Sequence, residues 1–160
     1  MFYDDDGGGN RGAVYIWFMR TNGWVKSYTK LSDTAGGFTA AMANNMFFGS
    51  SVVGMGDIDD DGTNDIAVGG FYPDNFSGAG RVWVIFLRTN GQAKGHQEIS
   101  SNKGGFTGTL DSMDGFGNSV ANAGDCNGDS VPDLIVGAYS DDDGGSSRGA
   151  LWLLMLKTNG

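Results

Sequence analysis

"FFGSSVVGMGDIDDDGTNDIAVGG", residues 47–70, returns as "GFGNSVANAGDCNGDSVPDLIVGA", residues 115–138. Each copy passes from a Gly/Ser/Val run, through an acidic loop, into a short apolar run. The matches continue outward. "RTNG" at 20–23 returns at 88–91 and, as "KTNG", at 157–160; "GGFT" at 36–39 returns at 104–107. The offset is 68 residues from Thr21 to Gly69 and becomes 69 through one inserted residue. Ordered matches at one period mark a repeat architecture, in which each unit buries its apolar face on its neighbours.

Four strand candidates follow one another in the unit that contains the first copy: "GSSVVGM", "DIAVGG", "RVWVIFLR" and the more polar "QAKGHQEI". Val, Ile, Phe and Trp dominate the middle pair without helical spacing. In "RVWVIFLR" both alternating faces are apolar, Val82, Val84 and Phe86 on one and Trp83, Ile85 and Leu87 on the other. Such a strand is predicted to be covered on both sides. The last candidate suits an edge, with Lys94 and Glu98 discouraging wrong pairing. The expected fold class is all-β, with propeller-type blades of four antiparallel strands in an incomplete propeller or open blade array. A β-sandwich would not normally carry such a period.

Residues 1–33 read as the third and fourth strands of one blade and residues 34–101 as a complete blade. Residues 102–160 read as a second such blade without its last strand. Residues 1–23 also align with residues 138–160, so the chain starts and stops at the same phase of the repeat. The expectation is a section of a longer repeat chain, or a unit that covers its ends with copies of itself, because bare blade faces would be large apolar patches.

Nineteen acidic against ten basic residues give a net charge of −9. That balance repels nucleic acids and anionic membranes and favours cations. A single cysteine, Cys126, allows no internal disulfide, and no apolar run approaches the roughly 20 residues of a membrane span.

The acids cluster where a cation site would need them. The first loop places Asp57, Asp59, Asp61 and Asp65 as D-x-D-x-D-G-x-x-D, and the second places Asp125, Asn127, Asp129 and Asp133 as D-x-N-x-D-x-x-x-D. Positions 1, 3 and 5 of a curling loop face one centre. Backbone carbonyls at position 7, Thr63 and Val131, and the acids at position 9 complete an oxygen shell that suits Ca2+. The closing acid falls too early for an EF-hand and precedes a strand. Zinc would require His or Cys ligands, and Cys126, at position 2, points away from the centre. Two calcium sites are expected, the second weaker because Asn127 replaces an acid. The competing reading is an acidic turn held by Asx-type backbone bonds.

These two stretches resemble FG-GAP repeats, through Phe48-Gly49 with Gly69-Gly70-Phe71 and Phe116-Gly117 with Gly137-Ala138-Tyr139. The resemblance is to the calcium-binding blades of integrin alpha-subunit propellers and of bacterial extracellular proteins, the longer loops looking like the bacterial type. It implies calcium in the hairpin loop between the first and second strands of each blade.

The remaining signals are read plainly. "DDDGG" at 4–8 and 141–145 lacks a closing ligand, so a solvated turn is expected there over the alternative of a further cation site, and His96 is expected to be an exposed edge-strand residue. Trp17, Trp83 and Trp152 are expected at equivalent strand positions as core packing. Asn75-Phe76-Ser77 is a glycosylation sequon. No grouping suggests catalysis. The expected function is a non-catalytic, extracellular, calcium-binding module with a structural or adhesive role. Its expected partners are copies of itself, adjacent repeats, or surface proteins or glycans, and stacking could extend to a fibril. A lectin-like propeller and an accessory domain of a larger hydrolase are the alternatives.

Overall fold

The computed structural model describes Met1, residues 3–71 and residues 78–160, and among them all regular structure is β. The strands in chain order are β1 (Val14–Met19), β2 (Val25–Leu31), β3 (Ser51–Gly56), β4 (Asp65–Gly70), β5 (Arg81–Leu87), β6 (Ala93–Ile99), β7 (Phe116–Gly124), β8 (Asp133–Ala138) and β9 (Ala150–Leu154). They form three antiparallel sheets, ordered β1-β2, β3-β4-β5-β6 and β7-β8-β9. Meandering antiparallel sheets of two to four strands, packed in succession, are the blade architecture expected from the repeat. The sequon Asn75–Ser77 lies outside the described residues.

The repeated "RTNG" is a hairpin turn. Arg20 N–H donates to the Trp24 carbonyl at 2.7 Å and Gly23 N–H to the Arg20 carbonyl at 2.9 Å. Arg88, Gln92 and Gly91 reproduce these bonds at 2.8 and 2.7 Å. Asn22 and Asn90 each accept the backbone N–H two residues on. Gly23 at φ 83° and Gly91 at φ 78° take the left-handed step that ends a type I turn with a bulge. The pairing shifts register beside both turns, at Phe18/Met19 and Phe86/Leu87.

Strand β5 organises the core. Trp83, Ile85 and Leu87 pack with Val14, Leu31, Phe38, Phe48 and Val68, in the space between the first two sheets. Val82 and Val84 pack with Phe106, Phe116, Leu134 and Val136, between the second and third. All four residues from Val82 to Ile85 are fully buried. Two apolar faces on one strand therefore weld three sheets into one body.

The seams repeat as well. Gly12 bridges Phe48 and Gly80 bridges Phe116, both in parallel sense. Phe48 N–H donates to the Arg11 carbonyl at 3.0 Å, and Phe116 N–H to the Ala79 carbonyl at 2.9 Å. Each Phe-Gly pair thus docks just ahead of a strand of the preceding sheet, β1 for Phe48-Gly49 and β5 for Phe116-Gly117. Strands β3 and β7 run side by side, tied by Ser51 Oγ donating to the Gly117 carbonyl and Asn122 Nδ2 to the Gly54 carbonyl.

Two sequence expectations change. The residue in register with Trp83 and Trp152 is Tyr15, not Trp17, and Trp17 is 53% exposed. It stacks with Tyr15 and tilts against Tyr28 on the outer face of β1-β2. His96 is half-buried rather than exposed, its ring 5.1 Å from that of Phe38. Burial pushes its pKa down.

Candidate cation-binding loops

The two acidic loops join β3 to β4 and β7 to β8. In the first, Asp57 Oδ1 accepts Asp61 N–H at 3.0 Å and Oδ2 accepts Gly62 N–H at 2.7 Å. Asp61 Oδ1 accepts Thr63 N–H at 2.8 Å. These Asx-type bonds curl the backbone, with Gly62 at φ 86° making the left-handed step. As a result, one oxygen each from Asp57, Asp59 and Asp61 lies within 4.8 Å of the others. The amide bonds orient the carboxylates without exhausting them, because each oxygen carries two lone pairs. Three convergent hard oxygen donors on one tight loop fit a divalent cation of the calcium kind.

The second loop has the same frame. Asp125 Oδ1 accepts Gly128 N–H at 2.7 Å and Oδ2 accepts Ser130 N–H at 2.9 Å. Asp129 Oδ1 accepts Val131 N–H at 2.9 Å. Ser130, at φ 71°, takes the step that Gly62 takes in the first loop. Asn127 Oδ1 accepts Asp129 N–H, and its amide nitrogen donates to Asp129 Oδ2 at 3.0 Å. The backbone bonds, from Ser130 first, hold Asp125 below the usual carboxylate range. Cys126 is exposed, and its thiol faces the Ala123 carbonyl rather than the acids.

The acids at position 9 stand apart from the convergent group. Asp65 is fully buried; Oδ2 accepts Ile58 N–H at 3.1 Å and Oδ1 accepts Leu87 N–H at 2.9 Å. Asp133 does the same, with Cys126 N–H at 2.9 Å and Leu156 N–H at 3.0 Å. Each carboxylate therefore pins the start of its loop to the end of the blade's third strand. Burial pushes Asp65 above the usual range even though both amides favour its charge.

Lys94, on β6, is the site residue that sequence reading had given another task. Its ammonium donates to Asp59 at 2.9 Å and to Asp61 Oδ2. The contact with Asp61 raises the lysine pKa, and the same contact holds Asp61 low. No signal along the chain points to this contact, since the lysine reaches the loop through sheet pairing and Lys26, its counterpart one repeat earlier, is exposed.

The "DDDGG" turns are also more than solvated. Lys30 donates to Asp4 at 2.9 Å and to Asp6 at 2.5 Å, tying the first turn to β2. The second turn repeats the first turn's backbone bonds: Asp143 N–H to Asp141 Oδ1 at 3.1 Å matches Asp6 N–H to Asp4 Oδ1 at 3.1 Å. Asp141 is buried, and its Oδ2 has no hydrogen-bond partner among the described residues.

Comparison with known proteins agrees with this geometry. The FG-GAP repeat family model matches residues 116–154, which span β7 to β9 and the second loop. Integrin alpha-6 of Gallus gallus is 35% identical over 142 residues, covering 87% of this chain and 11% of the relative. Integrin alpha-5 of Xenopus laevis is 38% identical over 96 residues (59% and 9%), and human integrin alpha-IIb is 42% identical over 96 residues (58% and 8%). The chain spans about a tenth of the length of these relatives. No helix of the described residues is long and apolar enough to cross a membrane. The kinship places the chain outside the cell or at its surface. With the family's pattern matched in β7–β9 and a similar pattern repeated in β3–β5, the chain is an FG-GAP repeat protein.

Proposed function

We propose that the chain is a non-catalytic extracellular repeat module, structural or adhesive, whose two acidic loops bind calcium and whose blades stack on further blades. The units are residues 1–33, 34–101 and 102–160. The proposed ligands in the first loop are Asp57, Asp59, Asp61, the Thr63 carbonyl and Asp65, the last through lone pairs that its bonds from the Ile58 and Leu87 amides leave free. In the second they are Asp125, Asn127, Asp129, the Val131 carbonyl and Asp133. The observation that carries this is the convergence of Asp57, Asp59 and Asp61 within 4.8 Å on a hairpin that the repeat builds twice. An ion there would offset the repulsion of the acids and brace each hairpin, the task disulfides perform in other extracellular domains. Millimolar calcium fills such loops even at modest affinity.

Stacking is supported by the seams already present. Leu151 and Leu153 hold the register of Val82 and Val84, which the next sheet buries, yet they are 77% and 49% exposed. The outward rings of Tyr15 and Trp17 match Trp83 and Ile85, which pack on the preceding sheet. Both faces therefore suit a further blade, from a copy of this chain or an adjacent repeat.

The test is thermal unfolding with EDTA and with millimolar calcium. The melting temperature is expected to rise by several degrees with calcium, as saturating a ligand of the folded state requires. Equal melting temperatures in the two conditions would remove calcium from the reading.

A further inference from the structure

Resting on that reading of the first loop, we propose that Lys94 is its built-in counter-ion, an ammonium that calcium must displace to enter. The lysine comes from β6, 33 to 35 residues beyond the acids it touches. It does not cap one carboxylate. It bridges Asp59 and Asp61, two of the three acids whose oxygens converge, and its side chain is only 21% exposed. A divalent ion seated among oxygens within 4.8 Å of one another would stand against that ammonium. Like charges at such a distance repel strongly, so the two occupants exclude each other.

The exchange has two consequences. Calcium entry breaks both charge-assisted bonds of Lys94, and affinity at this loop is lowered by what those bonds are worth. Lys94 is then freed to solvent, so filling the loop changes the charge presented on β6. The second loop provides the contrast. Among the described residues no lysine or arginine is paired with Asp125, Asp129 or Asp133. An extra acid in the first loop is thus countered by a resident cation, which offsets the advantage that Asp59 has over Asn127.

The experiment is calcium titration calorimetry on the whole chain, in a background carrying Asp125→Asn and Asp129→Asn so that only the first loop reports. Lys94→Gln is expected to tighten calcium binding by about twofold to fivefold, the worth of a solvent-accessible ion pair. The metal-free melting temperature should fall while the calcium-loaded one is kept. Lys94→Arg should bind like the parent. In the unsubstituted chain, the Lys94 side-chain amine signal in NMR should shift when calcium is added. Unchanged affinity in Lys94→Gln, or a Lys94 signal indifferent to calcium, overturns the inference while leaving the calcium site standing. If calcium binds neither loop of the unsubstituted chain, the reading of the site falls and this inference with it.

Discussion

Asp114 is 4% exposed and stands among other acids, Asp111, Asp141 and Asp142. Burial raises its pKa above the usual 3.8, and the neighbouring acids push the same way, while the Asp111 amide it accepts at 2.6 Å pulls only partly back. An acid raised in the folded state binds its proton more readily there than in the unfolded chain. Its charge therefore lowers stability at neutral pH, and that loss is recovered as pH falls through the raised value towards 3.8. Asp114→Asn keeps an oxygen for the Asp111 amide and adds an N–H donor towards the surrounding carboxylates. It should raise the melting temperature at pH 7 by about 2–4 °C, the response to about 1 kcal/mol in a chain of this size. The gain should vanish well below pH 3.8, where Asp114 is protonated in the folded and the unfolded chain alike. Melting curves across that range check it, and a gain that persists in acid would remove burial of charge as the cause. The acid itself was visible in the sequence, and so was the fact that the first repeat carries Met46 at its place. Its burial was not, because that depends on where the 138–149 turn folds back. The contact of Lys94 with the loop is illegible for the same reason: spacing finds ligands that are neighbours along the chain, and this lysine reaches its acids through sheet pairing.

At the scale of elements, the strands and their hairpins were legible because alternation and turn chemistry are local. Two-sided burial of β5 follows from Val82 to Leu87 alone, and "RTNG" carries its own turn. Side-chain partners across elements were not legible. The Asp4/Asp6 turn finds Lys30 two strands later, and Trp17 was matched to Trp83 by residue type when register gives Tyr15. The seams between blades rest on backbone approach, and glycine is what permits it. Gly80 has φ 104°, and a Cβ there would lie 2.0 Å from the Phe116 carbonyl oxygen. The obstacle is backbone and cannot swing away. Gly80→Ala combines left-handed strain with loss of the seam. It should cost at least about 2 kcal/mol, or roughly 5 °C or more of melting temperature. Gly62 is the control: it also has a left-handed φ, but open space surrounds it, and Ser130 already fills the equivalent position. Gly62→Ser should cost about 1 kcal/mol or less. Similar losses for both substitutions would show that strain alone, without the seam, explains the glycine.

For the whole molecule, the question is what the two outer faces meet. On β5 one face packs forward and the other packs back, and the same two faces recur on β9 and β1 with no sheet over them among the described residues. Leu151, Leu153 and Met155 form one apolar row; Trp17, Met19 and Tyr28 belong to the other. If copies associate by continuing the internal seam, the row on β9 meets the ring-rich face of β1-β2 of the next copy. Such a contact is heterologous and propagates unless its rotation closes a ring. A net charge of −9 opposes the approach, so calcium in the loops should favour it by reducing repulsion. Leu153→Asp places a charge in the row without disturbing a packed core, since Leu153 is already 49% exposed. It should leave the melting temperature within about 2 °C of the parent, as surface substitutions do. In sedimentation velocity, however, the concentration-dependent association of the parent in calcium should be lost. Val84→Asp, at the same register inside the seam and fully buried, should instead unfold the chain. Association of Leu153→Asp at the parent's strength would mean that this row is not the contact. Association equally strong in EDTA would mean that charge on the loops does not govern it.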